Sequence, residues 1–278
     1  MILRAFVLSA LTTGLFAGPV LPNDTWSDLR AEIYGDAVPA ISQDIVKLNA
    51  PYRTMNDPRT TLGATVRAPA GEFITKVSLI IDDNPMPVSA VFEMAEPRAA
   101  FAFSGSMRIN GPTPIRVVVE TDRGGLYMQE SFVKTSGTGA CAAPPGTDPK
   151  IALQTLGRMK LALAEDIKAE DVLASLTKST LPASKNPIGQ MARLSIEHPS
   201  HSGMQMDQIS LLFIPARYVE TVQVETDGVP QFRMTGSISL SENPELSFTV
   251  PSGASAVDVK LIDTEGAAFE QSFPLVSG

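Results

Sequence analysis

The sequence predicts a mainly β protein: two antiparallel β-sandwiches of immunoglobulin type joined by a helical connector. Three observations carry that expectation. Apolar residues alternate with period two over two long regions, about 36–135 and 190–277. Clusters of Asn, Asp, Gly and Pro punctuate the alternating runs at short intervals. Between the two regions lies the one clear stretch in which apolar residues recur with a helical period.

The chain opens with a single early positive charge, Arg4, followed by an apolar run from Ala5 to Ala17. That run is short for a bilayer span and has the layout of a secretory signal peptide, here residues 1–20, with cleavage between Ala17 and Leu21. The expectation is an exported protein, most simply periplasmic, without a membrane span once the signal is removed. Asp24 then caps a short helix with Trp26, Leu29 and Ile33 on one face and Gly35 as its stop.

From Ile45 the period changes to two. The runs Ile45 to Leu48, Leu62-Ala64-Val66, Phe73 to Ile81, Val88-Ala90-Phe92, Phe101-Phe103, Ile115-Val117-Val119 and Tyr127 to Val133 read as strands. Asn56-Asp57-Pro58, Asp82-Asp83-Asn84-Pro85, Asn110-Gly111-Pro112 and Asp122-Arg123-Gly124-Gly125 supply the turns. Residues 142–187 form the connector. In it Asp148-Pro149 starts a helix with Ala152, Leu156, Met159 and Leu163 on one face, and a second short helix is expected around Ala169 to Leu176.

The second strand-rich region, 188–278, contains Leu194 to Ile196, Ile209 to Ile214, Val219 to Val224, Phe232 to Met234, Ile238 to Leu240, Leu246 to Val250, Val257 to Leu261 and Phe269 to Phe273. Thr226-Asp227-Gly228 and Asp263-Thr264-Glu265-Gly266 are hairpin turns. The last hairpin, Val257 to Phe273, is laid out like Val117 to Phe132 of the first region, with alternating valines, an acidic-Gly turn, then Gln and Ser-Phe.

Composition narrows the partners. The formal net charge is −8 with the acids scattered, which disfavours nucleic acid and anionic membrane surfaces. The chain has one cysteine, Cys141, in the segment Ser136 to Gly146. Glycines, small residues and Pro144-Pro145 rule out helix or strand there. An exported chain with an odd cysteine points to an intermolecular or reactive thiol. No Lys, Arg or His lies between Lys134 and Lys150, so the neighbours in sequence supply no charge to lower its pKa. The expectation is an exposed thiol on a loose arm, titrating near the usual value of about 8.5. From Thr135 the arm reaches roughly 20 Å at about 3.3 Å per residue. No Ser-His-Asp or Cys-His-Asn arrangement suggests itself, since both histidines share one short segment, so the protein is not expected to be an enzyme.

The stretch Val77 to Phe92, with Asn84-Pro85-Met86-Pro87 at its centre, resembles the Asn-Pro-x-Pro hairpin of the SoxY subunit. The arm around Cys141 resembles that subunit's Gly-Gly-Cys-Gly-Gly tail, with alanines in place of the flanking glycines and with the chain continuing beyond it. His198-Pro199 leading to Gly203, Ile214-Pro215-Ala216-Arg217-Tyr218 and Glu242-Asn243-Pro244 resemble the SoxZ subunit. The order of motifs over residues 30 to 277 resembles a fusion of the two halves of the SoxYZ carrier, of the kind grouped as quinoprotein-dehydrogenase-associated. The resemblance implies a SoxY-like unit at 23–141, a SoxZ-like unit at 188–278 and a non-catalytic carrier without a cofactor. In that family a haem enzyme couples thiosulfate oxidatively to the arm cysteine, and further periplasmic enzymes process the bound sulfur. It makes Cys141 the attachment site and Gly137, Gly139 and Gly146 the hinge of a swinging arm spanning 136–146. The partners would be sulfur-oxidation enzymes, or a quinoprotein dehydrogenase and its cytochrome.

Two alternatives stand beside the carrier. His198, His201, Met204 and Met206 lie within nine residues and are a donor set suited to copper(I). The plainer reading is a turn with ordinary histidines, the two methionines pointing into the core. The other alternative is an adaptor for a quinoprotein alcohol dehydrogenase in which the cysteine is dispensable.

Overall fold

The computed structural model describes residues 25–137, 139–163 and 189–275. The signal segment, the Asp24 cap and the helix expected around 169–176 lie outside the described residues.

Helix α1 (Thr25–Tyr34) places Trp26, Leu29, Ile33 and Tyr34 against Ile80, Val118 and Met128. Its cover explains why β4 (Ile74–Ile81) and β7 (Thr113–Thr121) are buried on both faces. The remaining strands of the first half are β1 (Ala40–Ile41), β2 (Val46–Asn49), β3 (Thr60–Arg67), β5 (Val88–Arg98), β6 (Ala100–Met107) and β8 (Leu126–Val133). The second half follows with α2 (Pro149–Ala152), β9 (Met159–Leu163), β10 (Gln190–Ile196), β11 (Val219–Thr226), β12 (Val229–Gly236), β13 (Glu245–Val250), β14 (Ala256–Asp263) and β15 (Ala268–Pro274).

The expected immunoglobulin-like, mainly β architecture is what forms, with the strands distributed over two sheets. One sheet has the order β1-β8-β7-β4-β5-β12-β11-β14-β15, the other β2-β3-β6-β13-β10-β9. Both run without a break from the first half into the second. The joins are antiparallel: Met234 opposite Phe92 in β12–β5, and Phe248 opposite Phe103 in β13–β6. The succession β2–β8 is repeated strand for strand by β9–β15, and equivalent strands meet at both joins. The halves are therefore related by an approximate two-fold axis through the seam. Phe92, Phe101, Phe103, Phe232 and Phe248, all from seam strands, stack in one aromatic cluster with centroids 4.5 to 6.0 Å apart. A single apolar core runs through both halves.

Three expectations about local structure are corrected. Met159 to Leu163 is a strand rather than the end of a helix, pairing with β10 from Met159↔Ile196 to Leu163↔Ala192. Residues four apart satisfy period two as well as the helical period, and Gly157, at φ 78°, stops helix propagation. A side chain there would meet the Phe269 ring at 2.1 Å. Among the described residues of this stretch the helix is α2, where Asp148 Oδ1 accepts the Ile151 N–H at 3.3 Å. The run Ile209 to Ile214 is an exposed loop. Asp207 Oδ1 accepts the N–H groups of Ile209 and Ser210, and Leu211 sits at φ 58°. Ile238 to Leu240 is a turn, bridged to Met107 by Leu240.

Candidate functional site

The site begins at the turn between β4 and β5. Asn84 is buried there, and its side-chain amide binds three groups at once. Nδ2 donates to the Arg108 carbonyl at 2.8 Å and to Ser239 Oγ at 2.9 Å, while Oδ1 accepts the Asn110 N–H at 2.9 Å. The segment that leaves β6, Arg108-Ile109-Asn110, is thereby fixed against the second half. The Arg108 N–H also donates to the Ser239 carbonyl at 2.6 Å. Its guanidinium donates to the carbonyls of Leu240 and Ile238. Arg108 is only 2% exposed, and no carboxylate forms an ion pair with it among the described residues.

The cysteine segment lies over this turn. It leaves β8 at Ser136, whose N–H and hydroxyl both bind Asp57 Oδ2. Gly137 and Gly139 take φ 84° and 75°, a region that a side chain resists, and Gly146 does not. Cys141 donates its N–H to Asn110 Oδ1 at 3.2 Å. Its carbonyl accepts from Ser202 Oγ, and the Ala143 carbonyl accepts from Gln205 Nε2 at 2.9 Å. Further along, the Gly146 N–H donates to Glu242 Oε2 at 2.7 Å. First-half and second-half groups thus hold the segment between them.

Two expectations about the thiol are overturned here. Cys141 is buried at 0% exposure rather than displayed on a loose arm, and a cation does act on it, brought from a distant part of the chain. Burial pushes the thiol above its usual range, and the Arg108 charge pulls the other way with the smaller effect. The sequence around Cys141 is as small and polar as a mobile arm should be. What fastens it are single hydrogen bonds, donated by Ser202 and Gln205 and accepted by Asn110 and Glu242, none of which marks its residue locally as a partner of the cysteine.

The histidine segment supplies part of that fastening. His198 and His201 are both buried. His198 Nδ1 accepts the Ser200 N–H at 2.9 Å, and Nε2 lies 3.6 Å from Asp263 Oδ2. Burial lowers its pKa to about 4, against the opposing pull of Asp263. Burial lifts Asp263 less than its hydrogen bonds lower it, chiefly those from Arg217 and the Ala267 and Glu265 N–H groups, so it stays below the ordinary carboxylate range. His201 Nδ1 lies 3.2 Å from Gln205 Oε1, and burial lowers this imidazole's pKa too. Met204 is half-buried and Met206 is exposed, so Met206 does not point into the core. Among the described residues no group of three His, Cys, Asp or Glu side chains is placed to hold a metal ion.

Beside the cysteine opens a cleft of about 400 Å³ lined by Arg59, Arg108, Ala140, Ala143, Gln205 and Glu242 among others. Sequence reasoning reached Cys141, the two glycines and the Asn84 motif. It missed Arg108, Asn110, Ser202, Gln205 and Glu242. Asn110 and Glu242 were read only as parts of a turn and of the Glu242-Asn243-Pro244 motif, and Arg108, a charge directly after an apolar strand, reads as surface.

Residues 30–141 match the family model of the sulfur oxidation protein SoxY, and residues 183–274 that of the sulphur oxidation protein SoxZ. Among solved structures, the sulfur carrier protein SoxY from Chlorobium limicola f thiosulfatophilum is 25% identical over 40% of this chain and 96% of its own, with a TM-score of 0.35. A superoxide reductase (neelaredoxin) from Ignicoccus hospitalis is 15% identical over 33% of this chain and 80% of its own, with a TM-score of 0.27. No curated protein matches the chain. The SoxY match ends at Cys141, and the residues that seat this cysteine from the other side, Ser202 and Gln205, fall within the SoxZ match. With both domains in one polypeptide, the chain is a fused SoxYZ-like protein and belongs to a family of sulfur-oxidation carriers.

Proposed function

We propose that this protein carries sulfur groups covalently on Cys141 and presents them to enzymes that oxidise or hydrolyse them, in the periplasm. The observation that carries this reading is the placement of the chain's one cysteine. It stands at the last residue of the SoxY match, in a turn held by hydrogen bonds that water can replace. Each such bond contributes a net of about 0.5–1.5 kcal/mol, so lifting the segment costs far less than unfolding a strand. Gly137 and Gly139 supply the backbone freedom for that lift.

In the loading step the cysteine thiol and thiosulfate join through a new S–S bond. One proton and two electrons leave, the electrons passing to a haem-type acceptor on the partner enzyme. In the hydrolytic step water attacks the terminal sulfonate. The bond between the two outer sulfurs breaks, sulfate and two protons depart, and the product persulfide is left on Cys141 as its anion. The carrier contributes the thiol and its seat, and the partner contributes activation. Periplasmic placement rests on the leader-like residues 1–20.

The test is intact-mass analysis of the protein purified from the periplasmic fraction of its own host. Sulfur-containing adducts that disappear on reduction and are absent from Cys141→Ser are expected. A protein that carries no adduct while its host oxidises thiosulfate would overturn the reading.

A further inference from the structure

Arg108 is the one feature of the seat that the carrier reading leaves without a purpose. A guanidinium at 2% exposure is normally paired, because a buried charge without a counter-charge is costly. Here its guanidinium donates only to the neutral carbonyls of Leu240 and Ile238 among the described residues, and the one carboxylate that acts on it, Glu242, does so without an ion-pair contact. Nor is it a surface arginine caught in passing, since Asn84 holds its carbonyl and the Ser239 carbonyl holds its N–H. It lines the cleft together with Ala140 and Ala143, the residues on either side of the Cys141–Ala142 pair. The other charges on that cleft are Arg59 and Glu242, so two guanidiniums face one carboxylate. That carboxylate is already engaged, with Oε2 accepting the Gly146 N–H at 2.7 Å.

We infer that Arg108 is the counter-cation for the group carried on Cys141, so that the seat holds a sulfur oxyanion adduct, a thiosulfonate or sulfonate, in preference to a neutral one. This rests on Cys141 being the attachment site. Its physical basis is that a planar guanidinium matches an oxyanion in a site shielded from water, where attraction is strongest. With a thiol or a methylated disulfide the only anion acting on Arg108 is Glu242, which also faces Arg59, whereas an oxyanion adduct supplies a second. The seat therefore retains an oxidised cargo and holds a neutral one more loosely.

Two reagents place the two kinds of group on the same sulfur of the full-length chain. With tetrathionate, the Cys141 thiolate attacks an inner sulfur, the central S–S bond breaks, thiosulfate leaves, and an anionic thiosulfonate stays on the cysteine. With methyl methanethiosulfonate the thiolate displaces methanesulfinate and keeps a neutral methylthio group. Melting temperatures of both adducts are then compared within wild type, Arg108→Met and Arg108→Lys. The thiosulfonate adduct should melt clearly above the methylthio adduct in wild type, equal to it in Arg108→Met, and in between in Arg108→Lys. Because each comparison is made within one variant, a general loss of stability cancels. If Arg108→Met fails to fold, the wild-type comparison alone decides, since equal melting of the two adducts overturns the inference. A difference that persists in Arg108→Met overturns it as well. Native protein without adducts would defeat the carrier reading whatever these adducts do, and equal melting would defeat only the role of Arg108.

Discussion

The two halves of the chain have the same strand succession and meet through equivalent strands, yet they differ in two connections. Between β3 and β4 the first half needs only residues 68–73, whereas the matching link between β10 and β11 runs from 197 to 218. After β8 the first half continues into the segment that bears Cys141. The long link of one half, through Ser202 and Gln205, closes over the cysteine of the other. A repeated scaffold thus gives one copy the thiol and the other its cover. Neither half holds a complete seat, and the continuous sheets keep the two parts in register.

If the seam makes the halves one folding unit, breaking it should have the largest effect. Phe232 packs at 5.8 Å from Phe92, 5.5 Å from Phe101 and 5.1 Å from Phe248, so it bridges both halves. Phe232→Ala should cost about 3–5 kcal/mol and shift one cooperative urea transition for the whole chain. A transition that splits in two, with the first half unchanged, would show that the halves are independent.

The halves should also respond differently to acid. Below pH 6.5 the unfolded chain protonates His198, whereas in the folded chain its pKa is about 4. Stability is therefore lost as pH falls from about 6.5 towards 4, by up to about 3 kcal/mol. Asp82 of the first half acts with the opposite sign. Burial raises its pKa to about 6 even against Arg116, so its destabilising contribution appears as pH rises from about 4 to 6. The two slopes overlap in the whole-protein curve. A His198→Asn variant removes one of them, and its stability loss between pH 7 and pH 5 should be smaller than that of wild type. An identical pH profile would contradict the assignment.

The cover itself should have the smallest energetic effect and the clearest chemical one. Ser202→Ala with Gln205→Ala removes two hydrogen bonds to the cysteine segment, together about 1–3 kcal/mol. Alkylation of Cys141 in the folded protein should quicken by roughly 5- to 150-fold, since 1.4 kcal/mol is about a factor of ten. An unchanged rate would mean that the second half does not govern access to the thiol.

Period-two alternation and turn chemistry made most of the strands legible in the sequence, and the likeness of Val257–Phe273 to Val117–Phe132 foreshadowed the repeat. The β9 strand was hidden because Met159 and Leu163 fit both periods. The Ile209–Ile214 run misled because its apolar residues are exposed, Ile209 at 95%, on a loop shaped by Asp207. The seat was illegible for a different reason. Its parts come from Asn84, Arg108, Asn110, Ser202, Gln205 and Glu242, and only the folded topology makes them neighbours of Cys141.

We take Cys141 to be a seated carrier thiol, released by local lifting of its segment, and not a core residue. Its alkylation rate at urea concentrations below the unfolding transition separates the two. Local release predicts a slow rate that hardly changes with urea until global unfolding takes over, because lifting a turn exposes little surface. A rate that follows global unfolding across the whole range would place Cys141 in the core and rule out release by lifting.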